Sequence, residues 1–382
     1  MPKEVTRHIP HPVQLMLWGK AAGRCEFAGC NKALWKSPVT QEQVNIAQKA
    51  HIYSFGDGGP RGNAALADEE INAIANLMLV CYDCHQKIDD KPDGGPYTVA
   101  LLKEMKLSHE RRIELVTAIS PQKQSHVLLY GANIGNHSSP LSFPSTASAI
   151  FPDRYPADDK AIELGMINSS FRDRDKEFWA VEGQNLRTTF SQRVHERMAC
   201  GGITHLSVFG LAPQPLLIML GTLLTDIAPT DVFQLQREPQ GWRWPEQSPG
   251  LQLRVEEPRV HGGKPALVLS LSATITEDRI QSVLGQDASI WKVTIPVPHN
   301  DCLKSREQLA CFRSTMRPLL DKIKACHGQT TRLHIFPAAP VAIAIETGRV
   351  RMPKADMPWV IYDQVNQLGG FVEAISIPEG GT

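Results

Sequence analysis

The chain has 382 residues with no net formal charge, 42% hydrophobic and 21% charged, the composition of an ordinary soluble protein with room for about two or three domains. No apolar run approaches the roughly 18 residues of a membrane span, and the start from Met1 to His8 has no apolar signal region, so no membrane association is expected and the cytoplasm is the expected location. Residues 1–120 balance 14 Lys and Arg against 14 Asp and Glu, which excludes the strongly basic surface of a free-standing DNA binder.

The first 118 residues form the first expected domain. Cys25-x4-Cys30 and Cys81-x2-Cys84 are two close thiol pairs, separated by enough chain to fold back on each other. They are expected to meet as one tetrahedral four-cysteine site that suits structural Zn2+. Between the pairs lie His51 and Asn76, and the second pair runs directly into His85. A helix from His85 places His85 and Asp89 one turn apart on the same face, so both can hold one ion. An amphipathic helix from Tyr97 to Val116 is expected to pack Leu101, Leu102, Met105, the stem of Arg112 and Leu115 back onto this domain.

Residues 119–158 are rich in Ser, Pro, Gly and Asn, as in His137-Ser-Ser-Pro-Leu-Ser-Phe-Pro, and read as a linker with little regular structure. Residues 159–382 then alternate strands and helices. Strands are expected at Phe178-Trp-Ala-Val, His205–Phe209, Val232–Gln236, Ala266–Ser272, Ile290–Ile295, Arg332–Phe336 and Trp359–Tyr362. Helices are expected at Leu186–Met198, Pro215–Leu224 and Leu303–Ala325. The alternation argues for an α/β domain with mostly parallel strands. The unpaired Cys200, Cys302, Cys311 and Cys326 read as reduced thiols.

This half also repeats itself. Thr204-His-Leu-Ser-Val-Phe-Gly-Leu-Ala-Pro213, followed by Gly221, returns 127 residues later as Thr331-Arg-Leu-His-Ile-Phe-Pro-Ala-Ala-Pro340, followed by Gly348. Each copy runs from a strand through a Pro-bearing turn into an apolar helix. Two Rossmann-like units facing each other are implied, and strand ends that feed helix starts offer N–H groups to phosphates. The ligand-pocket candidates are therefore the two turns, Phe209, Gly210, Leu211, Pro213 and Gln214 with Phe336, Pro337, Ala338 and Pro340. Arg237, Trp242 and Trp244 are candidates for a phosphate-binding guanidinium and base-stacking rings; Arg154 and Tyr155 are weaker ones.

The pattern of His51, Asn76 and His85 on a four-cysteine frame resembles the HNH endonuclease family. That resemblance implies a zinc-stapled ββα-metal nuclease domain in which a strand ends near His51. His51 would be the general base drawing a proton from water, and Asn76 would brace His51 or the loop around it. His85 and Asp89 would hold the catalytic metal. Asp89 stands where colicin-type members have a third histidine, favouring Mg2+ or Mn2+. Many members place Asp or His before the base, where this chain has Ala50, so a further ligand would come from elsewhere, such as Asp57.

From about residue 160 the repeat resembles the SAVED domain, a fusion of two CARF-like units that senses cyclic oligonucleotides. The two parts together are similar to the HNH-SAVED effectors of CBASS anti-phage defence. The implied function is a nuclease that cuts double-stranded DNA with little sequence preference after a cyclic di- or oligonucleotide drives homo-oligomerisation. A neutral nuclease domain fits this, because several copies held together raise its avidity for DNA. The residues leave two other readings open: a modification-dependent HNH restriction endonuclease with a DNA-sensing C-terminal half, and a non-enzymatic zinc-finger regulator that responds to a ligand.

Overall fold

The computed structural model describes residues 8–56, 58–62, 66–91, 94–134, 141–166, 171–173, 175, 177–225, 229–246, 250–365 and 370–378. Asp57 and residues 137–140 lie outside them. The chain divides into two compact units, Met1–Ser120 and Pro121–Thr382. Among the described residues no helix is long and apolar enough to cross a membrane.

The first unit begins with α1 (His11–Ala21), followed by β1 (Ala47–His51), the one-turn α2 (Asp68–Ile71) and a 3-10 turn at Ile74–Asn76. Then come β2 (Leu77–Cys81), α3 (Tyr82–Asp89) and α4 (Val99–Thr117). β1 and β2 pair antiparallel, with His51 opposite Leu77 and Ala47 opposite Cys81. Every residue of β2 is buried, and Leu77 to Val80 pack with Leu17, Leu34, Ile52 and Ile88. Thr98 caps α4 by accepting from the Leu101 N–H. The buried face of α4 is Leu102, Lys106 and His109, while Leu115 is exposed, so the face expected from apolar spacing is rotated toward polar residues. The cause is a set of partners: His109 Nε2 meets the Ala21 carbonyl at 3.1 Å, and Lys106 pairs with Glu110 at 2.6 Å and Glu26 at 3.8 Å.

The second unit contains β3 (Gln124–Gly131), α5 (Phe143–Ala149), β4 (Tyr155–Pro156), β5 (Ile162–Glu163), α6 (Phe178–Phe190) and α7 (Glu196–Ala199). It continues with β6 (Leu206–Leu211), α8 (Gln214–Leu224), β7 (Thr230–Phe233), β8 (Arg254–Glu256), β9 (Pro265–Ser270), α9 (Glu277–Leu284) and β10 (Ser289–Thr294). The last elements are α10 (Arg306–His327), β11 (Leu333–Ala338), α11 (Val341–Arg349), β12 (Trp359–Val365) and β13 (Gly370–Ile377). One sheet has the order β4-β3-β6-β7, with β5 also on β3, and all its pairings are parallel. The other has the order β13-β12-β11-β9-β10-β8, with a parallel centre and antiparallel edges at β8 and β13. The fold is thus a mixed α/β architecture whose central strands are buried on both faces, as parallel sheets require.

Two expectations fail here. The stretch assigned to a linker carries β3, the strand between β4 and β6, because Val127-Leu-Leu-Tyr130 is a buried apolar run inside a polar, Ser- and Pro-rich segment. Phe178-Trp-Ala-Val is the start of α6 rather than a strand. Phe178, Glu182, Leu186 and Phe190 recur every four residues on its buried face, a period that a four-residue window cannot show. That helix runs through a π-turn at Ser191–His195 into α7.

The sequence repeat is visible as packing. β6 leads into α8 and β11 into α11, and the two helices cross at the repeated glycines. A Cβ on Gly221 would come 1.9 Å from the Ile345 carbonyl oxygen, and one on Gly348 would come 1.9 Å from that of Ile218. Only glycine allows this approach, which places both strand-to-helix turns at one cleft.

Candidate functional site

In the first unit the four predicted cysteines converge. The turn from Phe27 to Cys30 is closed by the Cys30 N–H donating to the Phe27 carbonyl, with Gly29 and Asn31 at positive φ. β2 ends on Cys81, and Cys84 follows in the first turn of α3. The four Sγ atoms lie within 4.8 Å of one another, and Cys30 and Cys81 are 3.9 Å apart. A tetrahedral zinc site with Zn–S bonds of about 2.3 Å has edges of about 3.8 Å, so the donor set and its spacing are compatible with zinc. Burial pushes the Cys25 thiol up to about 12 and raises Cys84 as well. A bound dication reverses that cost by taking thiolates as ligands.

At the other end of the hairpin from Cys81, His51 ends β1 and its Nε2 lies 3.0 Å from Asn72 Oδ1. Phe55 stands edge-on to the ring, with centroids 5.7 Å apart. Asn76 is buried and holds the loop after His51 rather than the ring: its Oδ1 accepts from the Tyr53 N–H at 2.7 Å. Its amide group donates to the carbonyls of Tyr53 (3.2 Å) and Ile71 (2.9 Å). On α3, His85 Nε2 and Asp89 Oδ2 are 3.9 Å apart. Adjacent ligands of an octahedral Mg2+ or Mn2+ with bonds of about 2.1 Å lie about 3.0 Å apart, so the pair is on one face but must close by roughly 0.9 Å to share an ion.

Arg61 ties these pieces together. Its buried guanidinium donates to the carbonyls of Ile52 (2.6 Å), Ile88 (2.8 Å) and His51 (3.2 Å) and to Asp89 Oδ1 (2.8 Å). One side chain therefore fixes the end of β1 against the end of α3, and it leaves Asp89 Oδ2 on the His85 side. Sequence reasoning missed Arg61 and Asn72; a lone Arg in a Gly- and Pro-rich loop and an Asn five residues before a strand carry no spacing signal.

In the second unit the two turns face a cleft of about 370 Å³ at the C-terminal ends of β6, β7, β9 and β11. Leu211, Gln214, Arg237 and Pro340 of the predicted set line it, joined by Gln234, Gln236, Ser272, Asn300 and Ala339. Gln214 Oε1 accepts from the Ala339 N–H at 3.0 Å, and Gln234 Oε1 from the Ala342 N–H at 3.1 Å, so amide oxygens of one half sit on N–H groups at the start of α11 in the other. Lys304 reaches Gln236 Oε1 at 3.2 Å and pairs with Asp301 at 2.5 Å.

The remaining candidates lie elsewhere. Phe209 stacks on Phe233 at 4.5 Å and meets the edge of buried Trp242 at 5.2 Å, and Phe336 stacks on Tyr362 at 4.4 Å. Gly210 lies under Leu217 and Ile345, and Pro213 caps α8. Pro337 and Ala338 are paired with Leu269 and Ser270 in the sheet. Trp244 is half-buried against the core. Arg154 pairs with Asp231 at 3.1 Å, and Tyr155 pairs with Gln124, at the opposite end of its sheet from the cleft. The added cleft residues follow β7, β9, β10 and β11, where ligands of open parallel sheets bind; Gln234 and Gln236 in the alternating Val232–Gln236 run were the available signal.

Residues 186–377 match the family model described as "SMODS-associated and fused to various effectors sensor domain", SAVED. Two similar solved structures are those of the Acinetobacter baumannii Cap4 SAVED/CARF-domain containing receptor with the cyclic trinucleotides 2'3'3'-cAAA and 3'3'3'-cAAA. Both are 12% identical, with TM-scores of 0.43 and 0.44 over 77% and 78% of this chain. The Moraxella osloensis Cap4 receptor is 14% identical, with a TM-score of 0.43 over 77% of the chain. The chain spans only 60%, 62% and 58% of the length of these three receptors. No curated protein matches the chain.

Proposed function

The chain belongs to the SAVED sensor family, and from that premise we propose that it is a DNA endonuclease of the HNH type, switched on by a cyclic oligonucleotide in anti-phage defence. The observation that carries the nuclease half is the Arg61 clamp, which sets His51 and the His85/Asp89 pair on one frame beside a four-thiol cluster. A zinc regulator needs the thiols but has no use for a second, oxygen-and-nitrogen ligand pair tied through Arg61 to the strand that ends on His51.

In this reading Cys25, Cys30, Cys81 and Cys84 hold structural Zn2+. His85 and Asp89 hold Mg2+ or Mn2+, which when bound supplies positive charge to the phosphoryl oxygens. His51 takes the proton of the attacking water. Asn76 acts through the loop from Tyr53, keeping the end of β1 in place. Arg61 balances the Asp89 charge and orients its free oxygen.

The sensor half rests on the cleft. Its amide oxygens occupy N–H groups at the start of α11, and a phosphate is a stronger acceptor for the same donors. Arg237 at the rim and the glutamine, serine and asparagine side chains suit phosphates and base edges. A ligand with near twofold symmetry contacts both halves at once, and its binding drives homo-oligomerisation. Double-stranded DNA is then engaged by several neutral nuclease units together, each too weakly charged to hold it alone.

The test is a His51→Ala substitution. Cleavage of plasmid DNA should fall by about 100-fold or more, while the zinc content and the ligand-driven increase in mass stay as in the wild type. Loss of zinc or of assembly together with cleavage would make His51 a structural residue and remove the reading.

A further inference from the structure

The geometry points to Asn72 as a positioning residue that decides which nitrogen of His51 accepts the proton, an inference that rests on the nuclease reading above. Asn72 follows α2 and lies four residues before Asn76, in the turn that leads back to β2. Its Oδ1 is 3.0 Å from His51 Nε2, and its Nδ2 is 3.5 Å from the His8 carbonyl oxygen. With the amide nitrogen turned to a carbonyl, the oxygen faces the imidazole. An amide oxygen only accepts, so Nε2 must carry the hydrogen, and a neutral ring then has its lone pair on Nδ1. Phe55 against the ring edge and Asn72 on Nε2 hold the imidazole from two sides.

The chemistry follows from that tautomer. Nδ1 takes one proton from a water molecule as the water oxygen bonds to phosphorus. The bond from phosphorus to the leaving sugar oxygen breaks, and that oxygen takes a proton from solvent. The resulting imidazolium keeps its Nε2–H on Asn72, whose amide dipole stabilises the new charge. Asn76, expected to brace His51 or the loop around it, holds the loop through the Tyr53 and Ile71 backbone.

Asn72 is half-buried at the end of a one-turn helix, so substitution there leaves the core intact. The test uses the zinc-loaded full chain in three forms: wild type, Asn72→Leu and Asn72→Asp. The leucine removes the acceptor at similar volume, and the aspartate keeps an oxygen in place. Nitrogen NMR of 15N-histidine-labelled protein, with His51 assigned from His51→Ala, should show the Nε2–H tautomer in the wild type and a mixture in Asn72→Leu. With activator and Mg2+, Asn72→Leu should lose about 10–100-fold in kcat at nearly unchanged KM for DNA. Asn72→Asp should recover most of it. A wild-type ring protonated on Nδ1, or an Asn72→Leu protein that cuts as fast as the wild type or faster, would overturn the role; faster cutting would make Asn72 an obstruction. A wild type that cuts no DNA with any cyclic nucleotide would remove the nuclease reading and this role with it, whereas cutting at equal rates by the wild type and Asn72→Leu removes the role alone.

Discussion

The two units hold their functional parts in place by different means. The first relies on a few polar anchors: four thiols, the Arg61 guanidinium, the Asn76 amide and Glu26, whose carboxylate accepts from the Leu79 N–H at 2.6 Å. Its apolar cluster is small, and burial pushes Glu26 up to about 7. The second relies on a continuous apolar core around α8 and α11, with backbones in direct contact at Gly221 and Gly348. Point anchors fix the placement of a few side chains on little chain. A shared helix crossing instead holds two half-sites side by side, which suits a sensor whose ligand meets both.

The largest effect expected from this contrast is loss of an anchor in the first unit. Cys81→Ser should abolish zinc retention, which contributes about 10–16 kcal/mol of apparent free energy in such sites. Residues 1–120 should unfold, while 121–382 keep a cooperative thermal transition. Zinc analysis and limited proteolysis check this; a first unit that stays protease-resistant without zinc would show that its core suffices. Next is the helix crossing. Gly348→Ala places a methyl against the Ile218 carbonyl and should destabilise the second unit by about 3 kcal/mol or more. Gly221→Ala should do the same, and the double variant should cost less than the sum, because separating the helices once relieves both clashes. Additive costs in denaturant titrations would show that the two glycines are not one crossing.

The smallest effect tests the rest of the second unit. Burial holds His205 at about 4, below its ordinary 6.5, beside Asp231 and against Ser125 Oγ at 2.9 Å. Below pH 6.5 the unfolded chain takes up a proton that the folded chain refuses, so stability present above that pH is lost as pH falls toward 4. The loss is about 3 kcal/mol, and the variant His205→Asn should flatten the slope in this window. An unchanged slope would assign the acid sensitivity to other groups, such as His126 and His334, also lowered by burial.

What was legible in the chain follows the same division. Metal-type spacing is local, so the cysteines and the His85/Asp89 face could be read directly, and the recurrence of Gly221 as Gly348 marked the crossing. The polar partners were not legible, because Arg61 and Asn72 are chosen by the shape of a folded loop rather than by spacing. β3 was hidden because composition was averaged over a segment in which one short apolar run matters. In the sensor half the aromatic candidates Phe209, Trp242 and Phe336 went to the core, where rings fill the layer under the turns. Gln214, Leu211, Arg237 and Pro340 line the cleft because they stand at the strand ends themselves.

The most direct measurement of the central claim is plasmid cleavage in Mg2+ across a panel of cyclic di- and trinucleotides, with light scattering on the same samples. The panel includes the cyclic triadenylates bound by the Acinetobacter baumannii receptor. The account predicts cleavage with one ligand or a small related set, accompanied by a rise in mass, and none without ligand. Cleavage at the same rate with and without every ligand would contradict it and return the C-terminal half to DNA recognition.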